Sequence, residues 1–216
     1  MKDGKILSTI RRNYGEQMLN EEHIAPQPLE QFKIWFEAIL TSVEHDPTAM
    51  VLSTVDSEGF PDSRVVLLKG IEQGGFVFYT NYGSTKAVQL KNNPHAALNF
   101  YWPSLVRQVR VRGSVKRVSR AESDAYFSSR PKASQLSAIA SPQSQEIDSR
   151  ESLLELVNRE TLKHNSQEII TCPKRWGGYR LVPDEMEFWQ GRDDRLHDCI
   201  QYFKQQGKWK HRRLAP

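Results

Sequence analysis

Apolar positions along the chain follow two rhythms. After a polar opening closed by Pro26-Gln27-Pro28, residues Leu29, Phe32, Trp35, Phe36, Ile39, Leu40 and Val43 recur at helical spacing. That spacing predicts an amphipathic helix packed on the core and ended by Asp46-Pro47. The opening (1–25) reads as a mobile arm, with a short helix near 10–18, ahead of a single domain over 26–216. Strand-like runs come next, at 49–55, 63–71 and 76–80, parted by the turn signals Asp56-Ser57-Glu58-Gly59 and Gly74-Gly75. Loops this short allow an antiparallel meander but no parallel crossover. Gly83-Ser84 opens a helix that Pro94 stops, with Ser84 as N-cap. Strands follow at 96–102 and 108–118, the second interrupted at Gly113. Ser119-Arg120-Ala121-Glu122 is a capping box whose helix Pro131 ends or kinks. A helix over 146–164 carries Leu153, Leu154, Val157 and Leu162 as its apolar stripe. Four more strands are expected at 178–182, 186–190, 195–203 and 208–214. The expectation is a mainly β, α+β fold: an antiparallel β-barrel decorated by helices.

Composition narrows the class. With 216 residues, 38% hydrophobic and 26% charged, the chain can bury roughly 70% of its unfolded surface without disulfides. Thirty Lys+Arg against 26 Asp+Glu leave +4, a mild bias toward anionic ligands. Cys172 and Cys199 stand alone, with no Cys-x-x-Cys pair, so free thiols in a reducing cytosol are expected and a metal site is not. No signal-peptide core or apolar run of about 20 residues occurs, so the expected location is cytoplasmic, with no membrane partner.

Several clusters carry candidate chemistry. Residues 107–120 hold six Lys/Arg and no acid, but the charges alternate with valines, as on a half-buried strand with a solvated face; no nucleic-acid partner is expected. Arg64 and Lys69 are five apart, so in one regular strand they face opposite ways, and a bulge or a subunit interface must join them on one ligand. The segment from Tyr79 to Lys86 runs strand, turn, helix start, offering Thr80, Ser84, Lys86 and free helix N–H groups to a phosphate. Tyr126 and Arg130 lie at i, i+4 with Ser134 beyond, suiting a second phosphate. Arg195 and His197 share a face of a predicted strand beside Trp189, a setting for a planar charged ligand.

The motifs RVVLLKG (64–70), FYTNYGSTKA (78–87), RQVRVRG (107–113), YFSSRPKASQ (126–135), SPQSQEI (141–147), WGGYRL (176–181), FWQGRDDRLHD (188–198) and the terminal RRLAP resemble the pyridoxamine 5′-phosphate oxidase family. That resemblance spans nearly the whole chain. It implies an FMN-binding split β-barrel and a homodimer with FMN at the interface. The implied reaction oxidises pyridoxine or pyridoxamine 5′-phosphate to pyridoxal 5′-phosphate, with dioxygen as acceptor and hydrogen peroxide as by-product.

Carried over by position, the resemblance implies that Arg64 and Lys86 face the FMN phosphate with Thr80, Ser84 and Ser144 assisting. Val65, Val66, Leu67, Lys69, Tyr79, Gln108, Gln143 and Trp189 would surround the rest of the flavin. Lys69, Tyr126, Arg130 and Ser134 would hold the substrate phosphate, and Arg195 and His197 the pyridine ring. Arg11 and Tyr14 would form a lid. Thr85 and Cys199 depart from the family pattern, each standing where an arginine is usual, which implies weaker flavin retention or a substitute cation such as Arg192. Alternative readings are a divergent split-barrel flavoprotein such as a flavin reductase, a non-catalytic flavin or pyridoxal phosphate-binding module, and a basic nucleic-acid binder.

Overall fold

A computed structural model describes residues 14, 15, 17–42, 45–165 and 169–216. The chain runs α1 (Pro28–Leu40), β1 (Ala49–Val55), β2 (Pro61–Leu67), β3 (Gly70–Glu72), β4 (Gly75–Asn81), α2 (Thr85–Asn92), β5 (His95–Trp102) and β6 (Arg107–Arg117). It continues α3 (Arg120–Ser129), α4 (Lys132–Ala140), α5 (Arg150–Lys163), β7 (Trp176–Gln190), β8 (Asp198–Gln205) and β9 (Lys208–Leu214). Hydrogen-bonded strands follow the order β2-β1-β5-β6-β7-β4-β3, with β8 on β7 and β9 on β8. The pairs β1–β2, β3–β4, β4–β7, β7–β8 and β8–β9 are antiparallel.

The chain forms two compact units, one from segments within 1–47, 99–111 and 184–216, the other from 48–98 and 112–183. In the first, α1 buries the face its spacing predicts: Phe32 lies 5.0 Å from Phe100 and Trp35 5.3 Å from Phe188, ring to ring. Tyr202 packs on Phe188 at 5.5 Å and donates to the Ala25 carbonyl at 2.7 Å. In the second, Phe127, Leu136, Ile170, Cys172 and Trp176 form a buried cluster under Tyr79 and Tyr126. The capping box is present in both directions: Glu122 N–H donates to Ser119 Oγ and Ser119 N–H to Glu122 Oε2. Among the described residues no helix is long and apolar enough to cross a membrane.

Several elements differ from the sequence reading. The run 63–71 is not one strand: β2 ends at Leu67 and β3 starts at Gly70. At the break Leu68 N–H turns to the Thr48 carbonyl and Lys69 N–H to that of Val77. β6 passes unbroken through Gly113, where a Cβ would strike the Val182 carbonyl and lie 2.9 Å from Pro183 Cα; this glycine serves close approach, not interruption. The expected strands 178–182 and 186–190 are one strand, β7, continuous through Pro183. Pro131 separates α3 from a further helix, α4, that the sequence reading did not contain. α5 buries none of its residues, and its stripe residue Leu162 is 77% exposed. Of the helix expected at 10–18, residues 10–13 and 16 lie outside the described residues, and the rest are not helical; a 3₁₀ turn at Glu21–His23 follows instead.

Candidate active site

The unit formed by 48–98 and 112–183 holds a cavity of about 610 Å³, within the size range of small-molecule sites. Its lining includes Arg64, Val65, Val66, Leu67 and Lys69 from β2 and the break after it, Tyr79, Thr80 and Asn81 from β4, and Lys86 from α2. Tyr126, Arg130, Ser137, Ala138, Ser141, Gln143 and Trp176 complete it. Four of these side chains are cationic and none is acidic, so the cavity's own charge favours an anion. The break at 68–69 brings Arg64 and Lys69 to this one cavity within a single chain, so no subunit interface is needed to unite them.

Arg64 is held from several sides. One guanidinium nitrogen donates to the Leu52 carbonyl at 3.3 Å and to Thr54 Oγ1 at 2.5 Å. The other donates to Gln89 Oε1 at 3.2 Å and pairs with Asp62. Gln89 in turn donates to Asp62 and accepts from Thr54. Both terminal nitrogens are engaged by these four partners, so the cation is fixed in place beside the cavity and its charge, rather than a free fork, faces an oxyanion.

Lys86 is buried beside it. Burial, then the Arg64 charge, push its ammonium below the usual lysine range, while Asp62 opposes them. Lys86 Nζ reaches Thr80 Oγ1 at 3.4 Å; that hydroxyl donates to Gln143 Oε1 at 2.9 Å, which also accepts from Asn81 N–H at 3.1 Å. Two crowded cations and a hydroxyl at a helix start fit a phosphomonoester dianion. Ser84 occupies the N-cap position, but its hydroxyl donates to the Asn81 carbonyl at 2.8 Å rather than capping α2.

A second group of cavity residues is aromatic and cationic. Tyr79 stacks on Tyr126 at 3.9 Å and 16°, and on Trp176 at 5.4 Å and 11°. Burial, followed by the Glu72 and Glu122 charges, pushes the Tyr79 phenol up to about 12, so it stays protonated and able to donate. Arg130 lies over Trp176 at 4.9 Å. Its Nη1 is buried with no hydrogen-bond partner, and burial lowers its pKa. A buried guanidinium donor without an acceptor is costly unless a ligand supplies one. Arg130 is the residue that ends α3, with extended backbone, and is not on the helix face the i, i+4 spacing implied.

The other unit builds an aromatic wall. Trp189, near the end of β7, meets His197 at 4.7 Å, and Tyr14 approaches both, at 6.3 Å and 5.6 Å. Arg195 and His197 are not on a strand: a 3₁₀ turn spans Asp193–Arg195 and β8 begins only at Asp198. Asp194 and Arg195 both take positive φ, 55° and 60°, conformations that side chains seldom adopt. His197 Nδ1 accepts from Arg192 N–H at 3.0 Å, which leaves the ring proton on Nε2. Burial and the Arg195 charge lower its pKa below the ordinary 6.5.

Residues 36–163 match the protein family described as pyridoxamine 5′-phosphate oxidase, and 176–216 match the pyridoxine 5′-phosphate oxidase C-terminal dimerisation region. A pyridoxine/pyridoxamine 5′-phosphate oxidase of Legionella pneumophila (strain Paris) is 58% identical, with both chains covered in full. The protein of that name from Synechocystis is 47% identical over 99% of this chain and 100% of its own. The chain belongs to the pyridoxamine 5′-phosphate oxidase family. A crystal structure of PhzG from Burkholderia lata 383, in complex with tetrahydrophenazine-1-carboxylic acid, superposes with a TM-score of 0.88 at 28% identity, covering 94% of this chain and 100% of the other. A pyridoxamine 5′-phosphate oxidase-related, FMN binding protein from Nostoc punctiforme superposes at 0.73, with 19% identity over 89% and 100%. The curled antiparallel sheet with its helices is the split-barrel fold of this oxidase family.

The cavity of this family member brings together Arg64, Val65, Val66, Leu67, Lys69, Tyr79, Thr80, Lys86, Tyr126, Arg130 and Gln143, each named as a candidate in the sequence analysis. Ser84, Ser134 and Ser144 are not among its lining residues; Ser144 is exposed with φ 68°. Gln108, Trp189, Arg195, His197 and Tyr14 belong to the other unit, and Arg11 lies outside the described residues. The sequence reading missed Asn81, Ser137, Ala138, Ser141 and Trp176, and the Thr54–Asp62–Gln89 cradle of Arg64. Small residues at 137, 138 and 141 leave room beside a ligand, a signal visible only once α4 is known. Thr85 is exposed at the start of α2, and Cys199 is buried opposite Trp189 in the β7–β8 register. Arg192, the suggested substitute cation, lies 3.4 Å from Asp198. Burial pushes the Cys199 thiol up, so this position contributes no charge.

Proposed function

We propose that the protein oxidises pyridoxine or pyridoxamine 5′-phosphate to pyridoxal 5′-phosphate, as a homodimer with FMN at the subunit interface. The observation that carries this reading is the cavity with four cations, no acid and an aromatic stack, in a chain of this family. The buried, unpartnered Arg130 nitrogen and the crowded Arg64–Lys86 pair fit two phosphomonoesters, one of the cofactor and one of the vitamer.

FMN, when bound, supplies hydride acceptance from the substrate carbon and reoxidation by dioxygen to hydrogen peroxide. The alcohol and the amine each give up a hydride and a proton; the imine left by the amine then takes up water and releases ammonia. The chain's own residues bind and orient. Arg64, Lys86, Thr80 and Gln143 hold the cofactor phosphate. Lys69, Tyr126 and Arg130 hold that of the substrate. Arg195, presented by the strained turn, and His197, donating through Nε2, set the pyridine ring. Fixing the reacting carbon in this way is worth more than any single acid or base here.

The test is direct: purified protein is yellow, bleaches when pyridoxine 5′-phosphate is added without air, and regains colour with hydrogen peroxide when air returns. A colourless protein, or a flavin the vitamer does not bleach, overturns the reading. A divergent flavoprotein would need the flavin contacts but not Arg130. For Arg130→Ala, steady-state kinetics will show KM for the phosphorylated vitamer raised about ten- to a hundredfold, the worth of one charge-assisted hydrogen bond, with flavin affinity unchanged.

His197 sets the pH response. A base whose folded pKa lies below its unfolded value binds fewer protons when folded, so this contribution is intact above 6.5 and is lost as pH falls from 6.5 through the depressed value. Protonation also places a second N–H against Arg192 N–H. The expected profile of kcat/KM has an acid limb below 6.5 that His197→Gln flattens.

A further inference from the structure

The described part of the arm is attached at two kinds of place. Its root is buried: Leu19 N–H donates to Asp198 Oδ2 at 3.0 Å, and Arg213 binds Asp198 Oδ1 at 2.6 Å, the Leu19 carbonyl at 2.9 Å and Glu21 at 2.7 Å. Asp198 is only 5% exposed, so this root is built into the fold. Its tip is held by one exposed side chain. Asp193 Oδ1 accepts from Tyr14 N–H at 2.7 Å and from Gly15 N–H at 3.1 Å. Gly15 sits at φ 87°, a conformation that favours glycine, and its N–H joins that of Tyr14 on the same oxygen.

We propose that Asp193 is a positioning residue: its carboxylate latches the Tyr14-Gly15 backbone and so sets the Tyr14 ring against the Trp189–His197 wall. This deepens the proposed function and rests on it for the substrate. Asp193 also starts the 3₁₀ turn, its carbonyl accepting from Leu196 N–H at 3.1 Å. One residue therefore fixes both the Tyr14-Gly15 backbone and the turn that presents Arg195 and His197. The latch is polar and solvent-facing while the root is buried, so losing the latch leaves the root in place. Asp193 touches no reacting atom; it acts through Tyr14.

The experiment compares Asp193→Ala and Asp193→Asn holoenzymes with wild type. The asparagine oxygen can still accept both N–H groups; alanine cannot. Asp193→Ala is expected to raise KM for pyridoxine 5′-phosphate about tenfold, the loss of roughly two ordinary hydrogen bonds, with kcat within about twofold. Asp193→Asn is expected to keep KM near wild type, and in a Tyr14→Ala background Asp193→Ala is expected to add nothing. Independently of turnover, chymotrypsin is expected to cut after Tyr14 several times faster in Asp193→Ala than in Asp193→Asn or wild type. Equal cleavage in all three, an unchanged KM in Asp193→Ala, an Asp193→Asn variant as impaired as Asp193→Ala, or additive losses with Tyr14→Ala overturns the latch. If the wild type turns over no vitamer, the functional reading fails and the cleavage rates still decide the latch.

Discussion

Arg64→Leu is expected to weaken the binding of the proposed FMN cofactor sharply. The guanidinium is the best-anchored cation of the cavity, held by Leu52, Thr54, Gln89 and Asp62, and its ordering cost is met before any ligand arrives. Leucine keeps most of the bulk and removes the whole fork. With both terminal nitrogens engaged by the protein, the one charge-assisted hydrogen bond left to the guanidinium is worth about 1.5–3 kcal/mol, so the expected loss is roughly ten- to a hundredfold. Titrating apoprotein with FMN and following flavin fluorescence measures it. Wild-type affinity in the variant would remove Arg64 from the site. Arg64→Lys should recover only part of the loss, because the three donors of an ammonium cannot serve Leu52, Thr54, Gln89, Asp62 and a phosphate at once.

Gly113→Ala adds a single methyl group outside the cavity lining, and it will destabilise the fold itself. The added carbon meets the Val182 carbonyl and Pro183 Cα, both main-chain groups in the middle of β7. No rotamer change relieves the clash, so β6 and β7 must part. Overpacking against backbone in a sheet interior is expected to cost about 3 kcal/mol or more. For a chain of this size that lowers Tm by roughly 6–12 °C, readable by calorimetry on the holoprotein. An unchanged Tm would mean that the two strands can separate at Gly113 without penalty.

Much of this architecture was legible in the residues. Short strand-like runs between turn signals marked β1, β4 and β5, of which β1 alternates and β4 is buried along nearly all its length, and helical spacing marked α1 by its buried face. The capping box at Ser119 marked the start of α3. The failures share a cause: tertiary contacts chose the backbone path. The run 63–71 is apolar throughout most of its length, yet it breaks because Leu68 and Lys69 bond to Thr48 and Val77. RLHD alternates like a strand, but Asp194 and Arg195 turn to positive φ. In the site, the cations and the tyrosines stood out by type, while the serines did not. Trp176 did not, since a tryptophan opening a strand looks like core, and it is in fact both core and wall. Asp193 and Asp62 did not, since a carboxylate beside a cation carries no sign of what the pair is holding.

β2 ends the strand order, and its alternation leaves Val65 64% exposed while Val65, Val66 and Leu67 line the cavity beside Arg64. In the proposed dimer with the cofactor at the subunit interface, the residues that hold the cofactor answer to the neighbouring subunit as well. Mass action then ties them together: dilution that loosens the pair also loosens the flavin, and flavin added to dilute protein draws the pair back together by the same factor.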